Sequence, residues 1–510
     1  MGSMFSKASP EQDPRDQAQV GQKRVAGSDQ EDGSSQTAGK ASVSKKRFKT
    51  AKERKSHFKN TRTWTDDEPK RPKQEDGEKE ARFPKRKVAL LFGYSGTGYY
   101  GLQFNPNVPT IEQALFDALV KARAISKDNS TDPKKVQWGR TARTDKGVHA
   151  AGNIVSFKMQ LPLTGKELVD SINEHLPEQI RVWDYVEVFR SFHAKTMCDS
   201  RVYEYLLPSY AFAPPLSNGL SDTPTSDTDV IITNHDRSIT KYARVATDEE
   251  RQRSEQYQIS DEQLQNFRDV MAKFEGTHNF HNYTSGRKYN EQASKRHLLS
   301  IKVSDPFMID RTEWLSVKLH GQSFMLNQIR KMISMGVLVV RHKSPLSLIE
   351  RTFEDKKINI PKAPALGLLL EQPVFQTYNK KVDSRRDADE KKKKEDQPTQ
   401  QKVHEYINFD ANENDMNAFK SKYIYTQVFE SEQQERGFET FLLSVDNSLT
   451  QDFDYLHSQD GMIPDQCIIT TKFTIKQESD DEEQDEDDDK EEKAAKKGKG
   501  AASKAKRPAK

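Results

Sequence analysis

Cysteine is almost missing: 510 residues contain only Cys198 and Cys467. Far apart and in no metal-ligand spacing, the two exclude a disulfide framework or a zinc scaffold, and they fit a reducing compartment. Long apolar runs are missing as well. No stretch of about eighteen apolar residues offers a membrane-spanning helix, and the N-terminal residues lack the apolar core of a secretion signal. Hydrophobic residues make up only 33% of the chain against 31% charged, with a mean hydropathy of −0.92. Much of the chain therefore cannot bury enough apolar surface to fold.

What apolar content there is lies in the middle, from about Lys85 to Asn379. The ends are charged. Residues 1 to 87 carry 22 Lys and Arg against 14 Asp and Glu, a surplus of eight. Within them Lys45-Lys-Arg-Phe-Lys-Thr-Ala-Lys-Glu-Arg-Lys55 has the composition of a nuclear-import signal or a phosphate-backbone contact. Residues 478 to 492 are almost wholly acidic and lead into a Lys- and Ala-rich tail, as expected of solvated chain.

Glycine is concentrated after the first apolar run, in Val88-Ala-Leu-Leu-Phe-Gly-Tyr-Ser-Gly-Thr-Gly-Tyr-Tyr-Gly-Leu-Gln103. Gly96-x-Gly98-x-x-Gly101 has the spacing of a dinucleotide fingerprint, and an oxidoreductase built on it would show cofactor absorbance when purified. That motif needs a helix opening inside it to hold a pyrophosphate. Here Leu102-Gln-Phe-Asn-Pro-Asn-Val-Pro109 intervenes, and the first helix start is Thr110-Ile-Glu-Gln113. Tyr94, Tyr99 and Tyr100 would also crowd a phosphate. The glycines are expected to shape a turn beside a groove, with no nucleotide cofactor.

Periodicity places a strand and turn over 88–103 and a helix over about 111–124. A strand over 153–159, a helix over 165–175 and strands over 180–189 and 200–208 follow. This order suggests an α+β layer with helices on one sheet face. From Pro214 to about Tyr257 the chain turns polar and loses periodicity, as an insertion or linker would. A second block opens with the capping-box sequence Ser260-Asp-Glu-Gln263, continues with strands over 298–303 and 314–321, and reaches a long helix over about 325–340. Lys380 to Lys402 is a charged linker, and 403–447 regains enough apolar content for extra helices docked on the core.

The densest chemical signal is Arg140-Thr-Ala-Arg-Thr-Asp-Lys-Gly-Val-His149, a single carboxylate among three cations in a short loop. Nearby positive charge holds such an acid ionised, which suits a nucleophile facing a polyanion better than a general acid. An ordinary turn with surface ion pairs would have the same composition. His278 and His281 lack a third ligand at metal spacing, so no metal is expected.

Arg143-Thr-Asp145-Lys-Gly-Val-His149 resembles the active-site loop of the TruA family of tRNA pseudouridine synthases. Gly93 to Gln103 looks like that family's opening turn, although Ser95 stands where an Asp is common. Asn173-Glu-His-Leu-Pro177, Phe192-His-Ala-Lys195, Arg201-Val-Tyr-Glu-Tyr205, Phe274-x-Gly-x-His278-x-Phe280, Gly321 to Arg330 and Ala363-Pro-Ala-Leu-Gly-Leu368 follow in the family's order. The resemblance covers roughly residues 85 to 379 and looks closest to the eukaryotic, nuclear branch.

It implies the pseudouridine synthase fold, two α/β subdomains sharing a mixed, mainly antiparallel sheet with a central basic cleft that holds Asp145 at its base. The boundaries become a disordered basic region over 1–84, catalytic subdomains over 85–213 and 258–379, and an insertion over 214–257 between them. A charged linker over 380–402, a partly helical extension over 403–475 and an acidic then basic disordered tail over 476–510 complete the chain. Catalytic roles are implied for Asp145 (nucleophile or base), for Tyr203 (stacking on uracil and helping remove the C5 proton) and for Arg330 (a bidentate partner of Asp145). Substrate contacts are implied at Arg143, which would hold the flipped nucleotide, and at Thr144, Lys146, His149, Tyr205 and Leu368. The division of roles between Tyr203 and Tyr205 stays open, because strand alternation puts both on one face. His149 and His193 would touch RNA or cap structure. The implied partner is tRNA, together with other structured RNAs such as small nuclear or messenger RNA. No cofactor, no membrane, a monomer and nuclear residence with an additional mitochondrial form complete the expectation. The rival reading is a catalytically inactive RNA-binding or chaperoning protein of the same fold.

Overall fold

The computed structural model describes residues 83–215, 220–235, 237–393 and 404–470, the side chains of 388–393 excepted. The basic cluster Lys45–Lys55, nearly all of the 1–84 region and the 476–510 tail lie outside them.

In chain order the first half forms β1 (Lys85–Tyr94), α1 (Ile111–Lys121), β2 (Gly139–Arg140), β3 (His149–Gln160), α2 (Lys166–Asn173), β4 (Ile180–Glu187), α3 (Ala194–Met197) and β5 (Ser200–Pro208). The expected insertion follows as β6 (Leu220–Ser221), β7 (Val230–Thr233), β8 (Thr240–Ala243) and α4 (Asp248–Glu255). The second half forms α5 (Asp261–Ala272), β9 (Gly276–Asn279), β10 (Lys295–Val303), β11 (Phe307–Ile309), β12 (Thr312–Gly321), α6 (Gln328–Arg341), α7 (Ser347–Arg351) and β13 (Leu368–Val374). Beyond it lie α8 (Gln376–Lys393), α9 (Glu413–Phe419), a π-helical segment (Lys420–Tyr425), α10 (Thr426–Glu435) and α11 (Gly437–Asp446).

Ten strands make one sheet in the order β4-β1-β3-β13-β5-β12-β10-β9, with β2 paired to β3 and β11 to β12. Every pairing is antiparallel except that of β13 with β3. The mixed, mainly antiparallel α+β sheet implied by the resemblance is therefore formed.

Three sequence expectations need correction. Helices cover both faces of the sheet, not one. Leu90 and Phe92 join the core cluster that takes in α1, α2, α5 and α6. Ala89 and Leu91 join a second cluster with Tyr378, Val382, Phe409, Met416, Phe419 and Val428. Such two-sided burial is why β1 reads as a continuous apolar run rather than an alternation. The polar insertion, to which the sequence reading assigned no elements, folds as a three-stranded sheet and a helix opened by a Thr247/Glu250 capping box. The charged stretch after Lys380 continues helix α8 to Lys393. Lys, Arg and Glu are good helix formers, and Tyr378 and Val382, four residues apart, anchor one face in the core. Helix α6 starts at Gln328 rather than 325, because Asn327 takes a left-handed φ of 59° just before it.

Candidate active site

The glycine turn after β1 and the loop before β3 are pressed together, backbone on backbone. Leu102 N donates to Thr144 O (3.1 Å) and Gly147 N donates to Tyr99 O (3.3 Å). A Cβ on Gly96 would lie 2.3 Å from Val148 O, and one on Gly101, at φ +86°, would lie 2.6 Å from Thr144 O. Glycine is required at both positions by this approach, so what the cluster cradles is the 143–148 loop.

That loop is held from beneath. Thr144 is buried, and its Oγ1 shares a 2.8 Å hydrogen bond with the hydroxyl of Tyr94, to which Asn153 Nδ2 also donates at 3.4 Å. His149, 1% exposed, accepts the Gly96 N–H at Nδ1 (3.2 Å), with Ser95 Oγ at the same distance. Burial depresses the imidazole to about 4, so it is neutral at physiological pH. Glu112, on α1 and 0% exposed, braces the flank. It accepts from Phe104 N at 3.0 Å, from Trp138 Nε1 at 2.8 Å, and from Arg140 Nε and Nη2 at 2.6 and 2.8 Å. Above this support Arg143 is half-buried, while Asp145 and Lys146 are exposed. Lys146 Nζ sits 4.5 Å from the centre of the exposed Tyr100 ring.

Strand β5 brings in the tyrosines. Tyr203 pairs with Leu319 of β12 on one side and Leu370 of β13 on the other. Its ring, 9% exposed, meets Phe324 edge-on at 5.2 Å. Burial pushes its phenol up to about 12, with the charge of Arg201 opposing and that of Asp145 adding to the rise. Tyr203 is thus protonated near neutral pH and within electrostatic reach of the Asp145 carboxylate. Arg201, two residues earlier and so on the same face, donates to Thr141 O (2.9 Å) and Gln322 O (3.1 Å), tying the strand to the start of the loop.

Tyr205, Arg330 and Leu368 gather about the segment that leads into β13. Tyr205 is fully buried and its hydroxyl donates to Pro364 O (2.7 Å). Arg330, at the start of α6, donates from Nε to Ala363 O (2.7 Å) and from Nη1 to Asn327 Oδ1 (3.4 Å). Ala363 N donates back to Arg330 O (3.3 Å), and Leu368 N to Ala365 O (3.0 Å). The segment 363–367 is thereby gripped at both ends, which fixes where β13 begins.

The fold brings Arg143, Thr144, Asp145, Lys146 and Tyr203 together. The Nδ1 of His149 and the hydroxyl of Tyr205, two residues expected to touch substrate, are each engaged by the protein itself. Tyr94 and Arg201 belong to the site and were not among the site residues expected from the sequence. Arg201 could have been found, since it shares a strand face with Tyr203. Tyr94 could not, because only the fold sets it under Thr144, fifty residues on.

A family model described as tRNA pseudouridine synthase matches residues 270–376. The chain is 41% identical over 430 residues to a tRNA pseudouridine synthase 1 of Yarrowia lipolytica, across 74% of this chain and 78% of the relative. To that of Saccharomyces cerevisiae it is 45% identical over 350 residues, 60% of this chain and 64% of the relative. To the pseudouridylate synthase 1 homolog of Mus musculus it is 36% identical over 371 residues, 72% and 75%. With relatives this similar along most of their length, and the expected sheet in place, the chain belongs to the TruA family of tRNA pseudouridine synthases.

Proposed function

We propose that the chain converts uridines in tRNA, and in other structured RNAs such as small nuclear or messenger RNA, to pseudouridine, with Asp145 as the nucleophile. One observation carries this reading. Asp145 is an exposed carboxylate on a loop whose backbone is fixed from both sides, within electrostatic reach of a buried, protonated tyrosine.

The reaction is a rearrangement. The bond from N1 to C1′ breaks, the uracil turns, C5 bonds to C1′, the C5 hydrogen leaves as a proton and N1 gains one. Product and substrate hold the same atoms, so the chemistry calls for no electron acceptor and no cofactor. An ionised Asp145 can attack the nucleotide at C1′ or at C6 and be released when the new bond forms. Tyr203, protonated, offers a ring face to the uracil and a donor hydroxyl, and is poorly suited to take the C5 proton itself. The target nucleotide must leave its stack to reach Asp145, and Arg143 and Lys146 on the same loop suit its phosphates and the space it vacates.

The test is tritium release from C5-labelled uridine in tRNA transcripts, comparing the parent with Asp145→Asn. Release by the parent alone, with tRNA binding equal in both, supports the reaction and its nucleophile. Binding without release by the parent would favour the inactive RNA-binding reading.

A further inference from the structure

We propose that Lys420, in the C-terminal extension, is a positioning residue for the active site: it clamps from behind the two strands that hold Tyr203 and the Asp145 loop in register. The inference rests on the proposed function for its catalytic consequence and on geometry for the clamp.

The side chain of Lys420 is 5% exposed and lies between two carboxylates. Its Nζ is 2.9 and 2.7 Å from the two oxygens of Glu371 and 3.1 Å from Glu204 Oε2. Tyr425 donates its hydroxyl to the same Glu204 oxygen at 2.7 Å, and Ser316 Oγ donates to the other at 2.5 Å. The network joins the extension to β5, β12 and β13 at once. Burial disfavours the ammonium, but the two carboxylates more than offset it and hold Lys420 charged.

The backbone is shaped for this contact. Lys420 and Tyr425 open and close the π-helical segment. Five residues apart on an ordinary α-helix they would diverge by about 140°, whereas the wider turn lets both reach Glu204.

Where the clamp bears is what links it to catalysis. Glu204 follows Tyr203 on β5 and faces the opposite side of the sheet. Glu371 sits at the irregularity of β13 between Leu370 and Gln372. Leu370, just before it, pairs with Tyr203 on one side and with Ala150, at the exit of the Asp145 loop, on the other. β13 therefore sets the spacing between the two halves of the site, and it pairs with β3 over only two residues. A buried ion triad adds little net stability over an apolar cluster of equal volume. What it supplies here is a set of fixed distances across that short pairing.

The experiment compares parent, Lys420→Met, Lys420→Arg and the charge-neutral triple variant Lys420→Met/Glu204→Gln/Glu371→Gln, each well below its melting temperature. Readouts are the single-turnover rate at saturating tRNA, the tRNA Kd, and amide hydrogen exchange over 200–208 and 368–374. For Lys420→Met the expected result is a rate lower by about ten-fold, a modest misplacement effect, with Kd unchanged and exchange faster in those two strands. Lys420→Arg should recover most of the rate. If Lys420→Met does not fold, the triple variant decides, with the same rate loss expected in a folded protein. A parental rate in either folded variant, or a loss that only tracks the unfolded fraction, overturns the proposal. Should the parent itself release no tritium, the proposed function fails while the clamp is still judged by exchange: unchanged protection of β5 and β13 in a folded variant overturns it.

Discussion

Gly96→Ala tests whether the glycine turn sets the position of the catalytic loop. The residue has no positive φ, so alanine meets no backbone penalty of its own, and the effect is purely steric. The new Cβ would lie 2.3 Å from Val148 O and 2.8 Å from Gly147 C. Ordinary contact is about 3.5 Å, so turn and loop must separate by roughly 1 Å. β3 is fixed by its long pairing with β1, from Lys85↔Gln160 to Tyr94↔Ala150, so the yielding part is the loop ahead of it. A displacement of that size at a reacting group costs about 10²-fold in rate, or about 2.7 kcal/mol in the barrier. Binding of the RNA body should change little. Gly98→Ala is the control: at φ +81° it is strained, by roughly 1–2 kcal/mol, but nothing lies within 4 Å of the added atom. It should lower stability and leave the rate near parental. Tritium release at saturating tRNA, with Kd from filter binding, separates the two. A parental rate for Gly96→Ala, or equal losses in both variants, would refute the reasoning.

Stability should fall in mild acid through His149. Its folded value of about 4 lies below the unfolded 6.5, so between these pH values the unfolded chain binds a proton that the folded one refuses. This contribution is intact above pH 6.5 and declines as pH drops toward 4, by about 3 kcal/mol in all. Urea unfolding of parent and His149→Gln across that range should show the steeper fall in the parent, and parallel curves would contradict the assignment. Glu112→Ala should destabilise by about 3 kcal/mol, the lower end for a broken buried ion pair, because the Arg140 side chain it abandons is 23% exposed. The same urea titration measures it, and a loss under about 1 kcal/mol would show that water replaces the carboxylate.

Local signals made much of this protein legible in its sequence. The cap sequences at Thr110 and Ser260 announced α1 and α5, because such caps satisfy backbone donors within one turn, although only Ser260 closes the full capping box. The failure of the glycine cluster to open a helix removed the dinucleotide reading, since that requirement is also local. Crowding a lone carboxylate with cations in a short loop drew attention to Asp145, a composition an ordinary turn would share, and the family resemblance singled it out.

What the sequence left open depends on residues far apart in the chain. β13 pairs with strands more than 150 residues earlier, and Pro373 within it reads as a strand breaker. Past Leu370 the β3 partner ends, so the missing N–H breaks no ladder on that side. Alternation places Tyr203 and Tyr205 alike. Only the docking of segment 363–367 engages one hydroxyl with Pro364 O and leaves the other ring beside the Asp145 loop. Likewise, nothing in a lysine near position 420 indicates burial. It becomes one end of a clamp because the extension closes over the second face of the sheet and brings Glu204 and Glu371 to it. Periodicity and caps act over a few residues and can be read along the chain; which strands become neighbours, and which polar groups they trap, is decided by the energy of the assembled core.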